Sequence, residues 1–410
     1  LEPASYYPKA PSEHFDDQTY REAGESLLRA GRVAAFTVAG GQGTRLGWRG
    51  PKGTFPATPV TGKSLFQCFA EQLRAAERRY GTSIPWYIMT SPMNDEPTRL
   101  FFQDNNWFGL NRSNIYMFPQ AVLPSLDAHT GRLMLAEKHR LATNPNGHGG
   151  SIQAMHENGA LEDMMDRGIE HISYFQVDNP LVQAIDPLFI GLHAGAPDSS
   201  AEMSSKMVSK EYPEEKVGVF CTSEGRTIVI EYSDLPDELA RARDDEGRLR
   251  FRAGSIAVHM ISVRFVEQLN TSTDGYALPL HRAVKKVPYV DTQSGERIEP
   301  DEPNGVKLEM FIFDAIPRAE SSIILETSRV DEFAPIKNKS GVDSIETSYQ
   351  LQSDHFARWL EQHGVSVPRT GDDGHVNAKI EISPLTALKP SDLQAADLPE
   401  TVRPGESVAL

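Results

Sequence analysis

Cysteine is nearly absent. The chain has two in 410 residues, Cys68 and Cys221, each inside an apolar pattern with no second ligand type beside it. That excludes a disulfide framework and a cysteine-based zinc site, and it fits a reducing cytoplasm. Long apolar runs are missing too. No stretch approaches the roughly 18 residues of a membrane span, and the first residues carry no signal-peptide pattern. Positive charge is in deficit, with 41 Lys and Arg against 57 Asp and Glu, a net charge of −16. Such a surface repels a nucleic-acid backbone, so neither a polynucleotide nor a membrane is expected as a partner. A small anion bound in a cleft sees local charge instead. It requires Lys, Arg or a metal gathered at one place.

The chain alternates strand and helix signals over its first half. Asp17–Arg29 reads as an amphipathic helix, and Val33–Val38 is a continuous apolar run of the kind found in buried parallel strands. Ser64 and Gln67 form a capping-box pattern that opens a helix stopped by Gly81. Further strands are predicted at Pro85–Thr90, Ile115–Phe118 and His171–Val177, with helices over Glu96–Asn105 and Ser151–Arg167. This alternation implies an α/β fold with a Rossmann-like, mixed and largely parallel sheet. After about residue 200 hairpins take over. Val217–Cys221 and Thr227–Tyr232 flank a turn at Glu224-Gly225, and Val287–Asp291 precedes one at Ser294-Gly295; these strands would wall one side of a pocket. A last helix is predicted from Ile345 to His363, then a strand at Ala378–Ile382. The expected organisation is a short helical segment (1–31), a catalytic domain (32–350) and a small C-terminal appendage (351–410).

The densest chemical signal is Ala39–Gly47, AGGQGTRLG, followed by Pro51-Lys52-Gly53. Gly40, Gly41 and Gly43, with Ala39 and Gln42 between and before them, stand just past the first apolar strand. Backbone N–H groups there can cradle phosphate, and Arg45 and Lys52 supply cations beside a triphosphate. Two related motifs fail. Leu46 occupies the third glycine of a dinucleotide fingerprint, and Ala57–Ser64, ATPVTGKS, lacks the first glycine of a P-loop and follows no strand.

The motif AGGQGTRLG…PKG resembles the signature of the UDP-sugar pyrophosphorylases, closest to the eukaryotic-type UDP-N-acetylglucosamine pyrophosphorylases. The resemblance continues in order through KSLFQ, WYIMTS, VDNPLV, VGVF, IEYSDL, PYVDTQ, PNGVKLEMFIFD, EFAPIKN and KIEISPL. It implies a GT-A-like nucleotidyltransferase fold and the transfer of a uridylyl group from UTP to a sugar 1-phosphate, with pyrophosphate released. It also implies roles by position: Gly40–Gly43 and Lys52 at the triphosphate, Arg45 at the leaving pyrophosphate, and Gln120 reading uracil. A carboxamide suits that last role, offering an acceptor for N3–H and a donor for a ring carbonyl. Asp178 is implied as the carboxylate for nucleotide-bound Mg2+, which typically takes one or two protein carboxylates. Gly147 and Lys307 match nucleotide-binding positions, Glu231 and Tyr232 sugar-contacting ones, and Lys337 a cation near the α-phosphate.

Two departures bear on the sugar. His148 and Ser255 stand where the acetylglucosamine enzymes carry sugar-contacting asparagines, and Gly-His-Gly resembles the glucose-type members instead. The expected sugar is N-acetylglucosamine, with glucose as the alternative. A non-catalytic nucleotide-sugar sensor is the reading from another class. It would lack the metal carboxylate or the cradle lysine, and both Asp178 and Lys52 are present.

Overall fold

The computed structural model describes residues 1–271, 278–371 and 374–410. Among these residues ten strands share one sheet: β1 (Glu2–Pro3), β2 (Val33–Val38), β3 (Trp86–Thr90), β4 (Ile115–Pro119), β5 (His171–Gln176), β6 (Met203–Ser209), β7 (Val219–Ser223), β8 (Arg226–Ile230), β9 (Ala253–Ser262) and β10 (Ile324–Glu326). Strands β5, β2, β3 and β4 lie side by side and run parallel. They are the four strands expected from apolar runs. Burial of β2, β3 and β5 along nearly their whole length explains why those runs are continuous rather than alternating.

The two faces of β2 feed different cores. Val33 and Ala35 pack with Leu65, Phe69 and Leu73 of α2 (Leu65–Tyr80), and Ala34 and Phe36 pack with Ile152 and Met155 on the opposite side. Phe69 is fully buried, so its truncation would cost about 3–5 kcal/mol. At the start of α2 the Ser64 hydroxyl accepts from the Gln67 N–H, but the expected reciprocal bond is missing because the Gln67 carboxamide turns to Glu71. The helix α3 (Asp95–Asp104) lies close to where it was expected. The helix expected over Ser151–Arg167 is two, α4 (Ser151–Glu157) and α5 (Ala160–Asp166). The break falls at Gly159, whose φ of 74° leaves the helical region.

The first residues join this sheet. β1 pairs with β7, Tyr7 donates its N–H to the Ile324 carbonyl at 2.8 Å, and α1 (Asp17–Arg29) lies against α6 (Pro187–Gly195). The hairpin β7–β8 forms around the Glu224-Gly225 turn as expected, one to two residues displaced. Strand β9, which carries much of the site, had no separate signal in the residue pattern. Residues 259–261 of β9 pair with β5 on one side and β6 on the other. Beyond a bulge at residues 256–258, β9 leaves β5 and pairs with β7 at Gly254. The sheet therefore splits between β5 and β7, and the gap opens a cavity.

The last helix, α7 (Ile345–Glu361), carries Trp359 and Leu360 into a separate core with Ile380 and Leu393. The strand expected at Ala378–Ile382 forms over Lys379–Glu381 and has a partner that the sequence did not reveal, Ser407–Ala409. This unit grips the loop after Lys52. Glu381 accepts from the N–H groups of Val60 and Thr61, and Gln352 donates to the Ala57 carbonyl. No helix among the described residues is long and apolar enough to cross a membrane.

Candidate functional site

Two loops leave the C-terminal ends of β2 and β5, neighbouring parallel strands, where open α/β sheets place ligands. The first is the glycine loop. Ala39 is buried and its N–H donates to the Met89 carbonyl at 2.8 Å. Asn94, a buried residue that the sequence reading missed, donates to the carbonyls of Ala39 and Gly41 and so fixes the loop from behind. Gly40 lies against Gln120 at the end of β4: a Cβ there would stand 2.2 Å from the Gln120 Nε2. No other residue allows that approach. Gly41 has open space above it and Gly43 packs on Trp48. Gln42 bridges to Pro51, and the Lys52 N–H donates to the Gly41 carbonyl at 3.0 Å, which folds the loop back onto itself. Arg45 is exposed on the short turn Thr44–Leu46, with no ion pair among the described residues.

The second loop carries Asp178. Its Oδ2 stands 3.5 Å from the Lys52 Nζ, so the two loops meet there. Burial alone would push this carboxyl up. The Lys52 and Lys337 ammonium groups outweigh burial and hold it below the usual carboxylate range, so it is anionic. Lys337 arrives on the segment after Phe333, whose Ile336 N–H donates to the Asp178 carbonyl at 2.8 Å. It also pairs with Asp343 at 3.3 Å.

From Asp178 a cavity of about 260 Å³ runs into the gap between β5 and β7. Of the residues singled out in the sequence, His148, Asp178, Glu231, Ser255 and Lys337 line it. Gln176, Lys216, Phe313 and Phe333 line it as well, and the sequence reading missed all four. Lys216 carried no signal because a lysine between Glu215 and Val217 reads as solvated. Tyr232 is exposed just past β8, and Lys307 sits on a side sheet paired with Ala283; neither lines the cavity. Gly147, just before His148, closely approaches the Met310 backbone and does not itself line the cavity. The glycine loop, Gln120, Arg45 and Lys52 lie outside the cavity wall. The site thus has two compartments that share Asp178.

Burial pushes His148 down to about 4, so its imidazole is neutral near pH 7. The Ile312 N–H donates to its Nδ1 at 3.2 Å, which places the ring proton on Nε2. The ring packs beside Phe311 and Phe313. His148 therefore presents a hydrogen-bond donor to the cavity. Burial pushes the Glu231 carboxyl up, with Asp234 and Asp314 adding to the rise. Ser255 is held where the sheet splits, its N–H donating to the Gly218 carbonyl at 2.8 Å.

Among the described residues no group of three His, Cys, Asp or Glu side chains converges on a metal position. Asp178 still fits a magnesium carried in by a nucleotide, since such an ion fills most of its shell with phosphate oxygens and water. An anionic, partly exposed carboxylate at the meeting of two lysine-bearing loops is the donor such an ion needs. Chemically, the arrangement can neutralise a polyanion between Lys52, Lys337 and Lys216 while offering donors and acceptors deeper in the cavity.

Known proteins resemble this chain over most of its length. A family model described as UTP–glucose-1-phosphate uridylyltransferase matches residues 8–369. The human UDP-N-acetylhexosamine pyrophosphorylase-like protein 1 is 38% identical over 394 residues, covering 92% of this chain and 76% of that protein. The Saccharomyces cerevisiae UDP-N-acetylglucosamine pyrophosphorylase is 38% identical over 376 residues, covering 90% of this chain and 77% of that one. Among solved structures, a putative UDP-N-acetylglucosamine pyrophosphorylase from Entamoeba histolytica superposes with a TM-score of 0.84 at 31% identity, covering 100% of this chain and 98% of that chain.

Proposed function

The chain belongs to the UTP–glucose-1-phosphate uridylyltransferase family, and from that premise we propose that it is a UDP-sugar pyrophosphorylase joining UTP to N-acetylglucosamine 1-phosphate. The observation that carries this reading is the meeting of Lys52 and Asp178 between a glycine loop and a half-open, sugar-sized cavity. The triphosphate lies over Gly40–Gly43, with uracil read by the Gln120 carboxamide beside Gly40. The sugar enters the cavity between His148, Glu231 and Ser255.

An oxygen of the sugar phosphate attacks the α-phosphorus of UTP in line. One P–O bond forms, the bond to the bridging oxygen breaks, and its electron pair leaves with pyrophosphate. The attacking oxygen is already anionic, so no proton has to be removed. This matches a site whose histidine is too weakly basic to act as a general base near neutral pH. Lys52 and Lys337 hold the phosphates at reacting distance and offset the charge that builds as the bond breaks. Arg45, exposed on the turn that follows the glycine loop, would meet the departing pyrophosphate. Asp178 would hold Mg2+, which supplies charge neutralisation across the phosphates when bound. Two buried free cysteines support a cytoplasmic setting.

His148 supports a second reading. Its Nε2–H is a single donor where a carboxamide would give both donor and acceptor, which suits a hydroxyl and therefore glucose 1-phosphate. Pyrophosphate release measured with UTP and a panel of sugar 1-phosphates decides between the two. Release with none of them would overturn the assignment.

A further inference from the structure

Lys206 is 1% exposed in the middle of β6, at the point where β9 bulges away to form the cavity wall. Its Nζ contacts Asp186 Oδ2 at 2.7 Å and both oxygens of Glu332, at 2.6 and 2.9 Å. A lysine and two carboxylates are thus buried together behind the site, and none of the three lines the cavity. Packing alone does not call for this. An apolar trio of similar volume commonly gives equal or better stability than a buried ion cluster.

The hydrogen bonds show what the cluster is attached to. Glu332 Oε1 also accepts from the Gln183 N–H at 3.3 Å, on the segment that leaves Asp178. The Glu332 carbonyl accepts from Asn179 Nδ2 at 2.6 Å, and Asn179 Oδ1 accepts from the Ala334 N–H at 3.0 Å. With the bond from the Ile336 N–H to the Asp178 carbonyl, the segments carrying Asp178 and Lys337 are stitched together. Glu332 is the residue common to both, and Lys206 anchors it to the sheet.

We infer that Lys206 is a positioning residue for uridylyl transfer, which fixes through Glu332 the spacing of Asp178 and Lys337 across the mouth of the cavity. Neither Lys206 nor Glu332 touches a phosphate. They act by leaving two charged groups no freedom to drift, and a displacement of about 1 Å at a reacting centre can cost about 10²-fold in rate. The inference rests on the proposed transferase reading.

The test uses the full chain carrying Lys206→Met, Asp186→Asn and Glu332→Gln together, which removes all three charges and leaves no unpaired ion. The expected variant melts near the wild-type temperature. Amide exchange in residues 178–183 and 333–337 accelerates about tenfold or more. kcat for pyrophosphate release falls roughly 10–10²-fold while KM for UTP moves little, and half-activation needs more magnesium. Unchanged exchange and kcat at a normal melting temperature would overturn the inference. Should the triple variant not fold, Glu332→Gln alone keeps the Lys206–Asp186 pair. It must still loosen residues 333–337, and unchanged exchange there is equally decisive against the proposal. A wild-type protein that releases no pyrophosphate sinks the transferase reading instead, and the exchange comparison then still judges the clamp.

Discussion

The Lys52 ammonium lies 3.5 Å from the Asp178 carboxylate, although 126 residues separate them in the chain. This contact joins the loop after β2 to the loop after β5. Lys52 helps keep Asp178 ionised. Asp178 gives Lys52 a counter-charge at the position where phosphate would lie.

Lys52→Ala is expected to lower turnover roughly 10²–10³-fold, the scale of losing one preorganised charge donor. Steady-state rates of pyrophosphate release at saturating UTP check this. Turnover within a few-fold of wild type in a folded variant removes Lys52 from the reaction.

Asp178→Asn preserves size but removes the charge that magnesium and both lysines require. Activity is expected to collapse and to recover only weakly at high magnesium. A magnesium titration that overlays that of the wild type would reduce Asp178 to a turn residue.

Gln120 is expected to favour UTP over CTP. A cytosine would leave buried groups unpaired at about 1–3 kcal/mol each, or roughly tenfold or more in selectivity. Equal kcat/KM for the two nucleotides takes Gln120 out of base recognition.

The sugar prediction concerns His148 and Ser255. Both sugars should be used, with the acetylated one preferred only about 10-fold, the range a single buried contact supplies. The double change His148→Asn with Ser255→Asn should move preference toward N-acetylglucosamine 1-phosphate. A shift toward glucose 1-phosphate instead means these positions do not read the acetamido group.

Acid sensitivity follows from the same histidine. Burial holds folded His148 at about 4 against an ordinary value of 6.5. Between those pH values the unfolded chain binds the extra proton, so stability is lost as pH falls from 6.5 toward 4. The full difference corresponds to roughly 3 kcal/mol. Urea midpoints at pH 7 and pH 4.5 should fall less for His148→Asn than for wild type. Parallel declines would show that His148 is not the group responsible.

The parallel half of the sheet was legible because β2, β3 and β5 are buried on both faces and so appear as unbroken apolar runs. Strand β9 escaped because its bulge interrupts the alternation that marks a strand. The break at Gly159 escaped because one glycine inside an apolar period does not disclose its φ. Within the site, residues on a local motif could be named from sequence, as with the glycine loop and Asp178. Lys216 and Lys206 could not, since a lone lysine reads as solvated. Only the fold shows that Lys206 meets a carboxylate 126 positions away. Motif position also placed Tyr232 and Lys307 in a site whose cavity they do not line.

Glu381 holds the backbone of Val60 and Thr61 from the far end of the chain. During synthesis the first strands, the glycine loop and Lys52 emerge long before that carboxylate exists. Until residue 381 has left the ribosome, the stretch following Lys52 lacks the partner that satisfies two of its N–H groups. The nascent polypeptide therefore carries Val60 and Thr61 unbraced while the 320 positions from Thr61 to Glu381 are made.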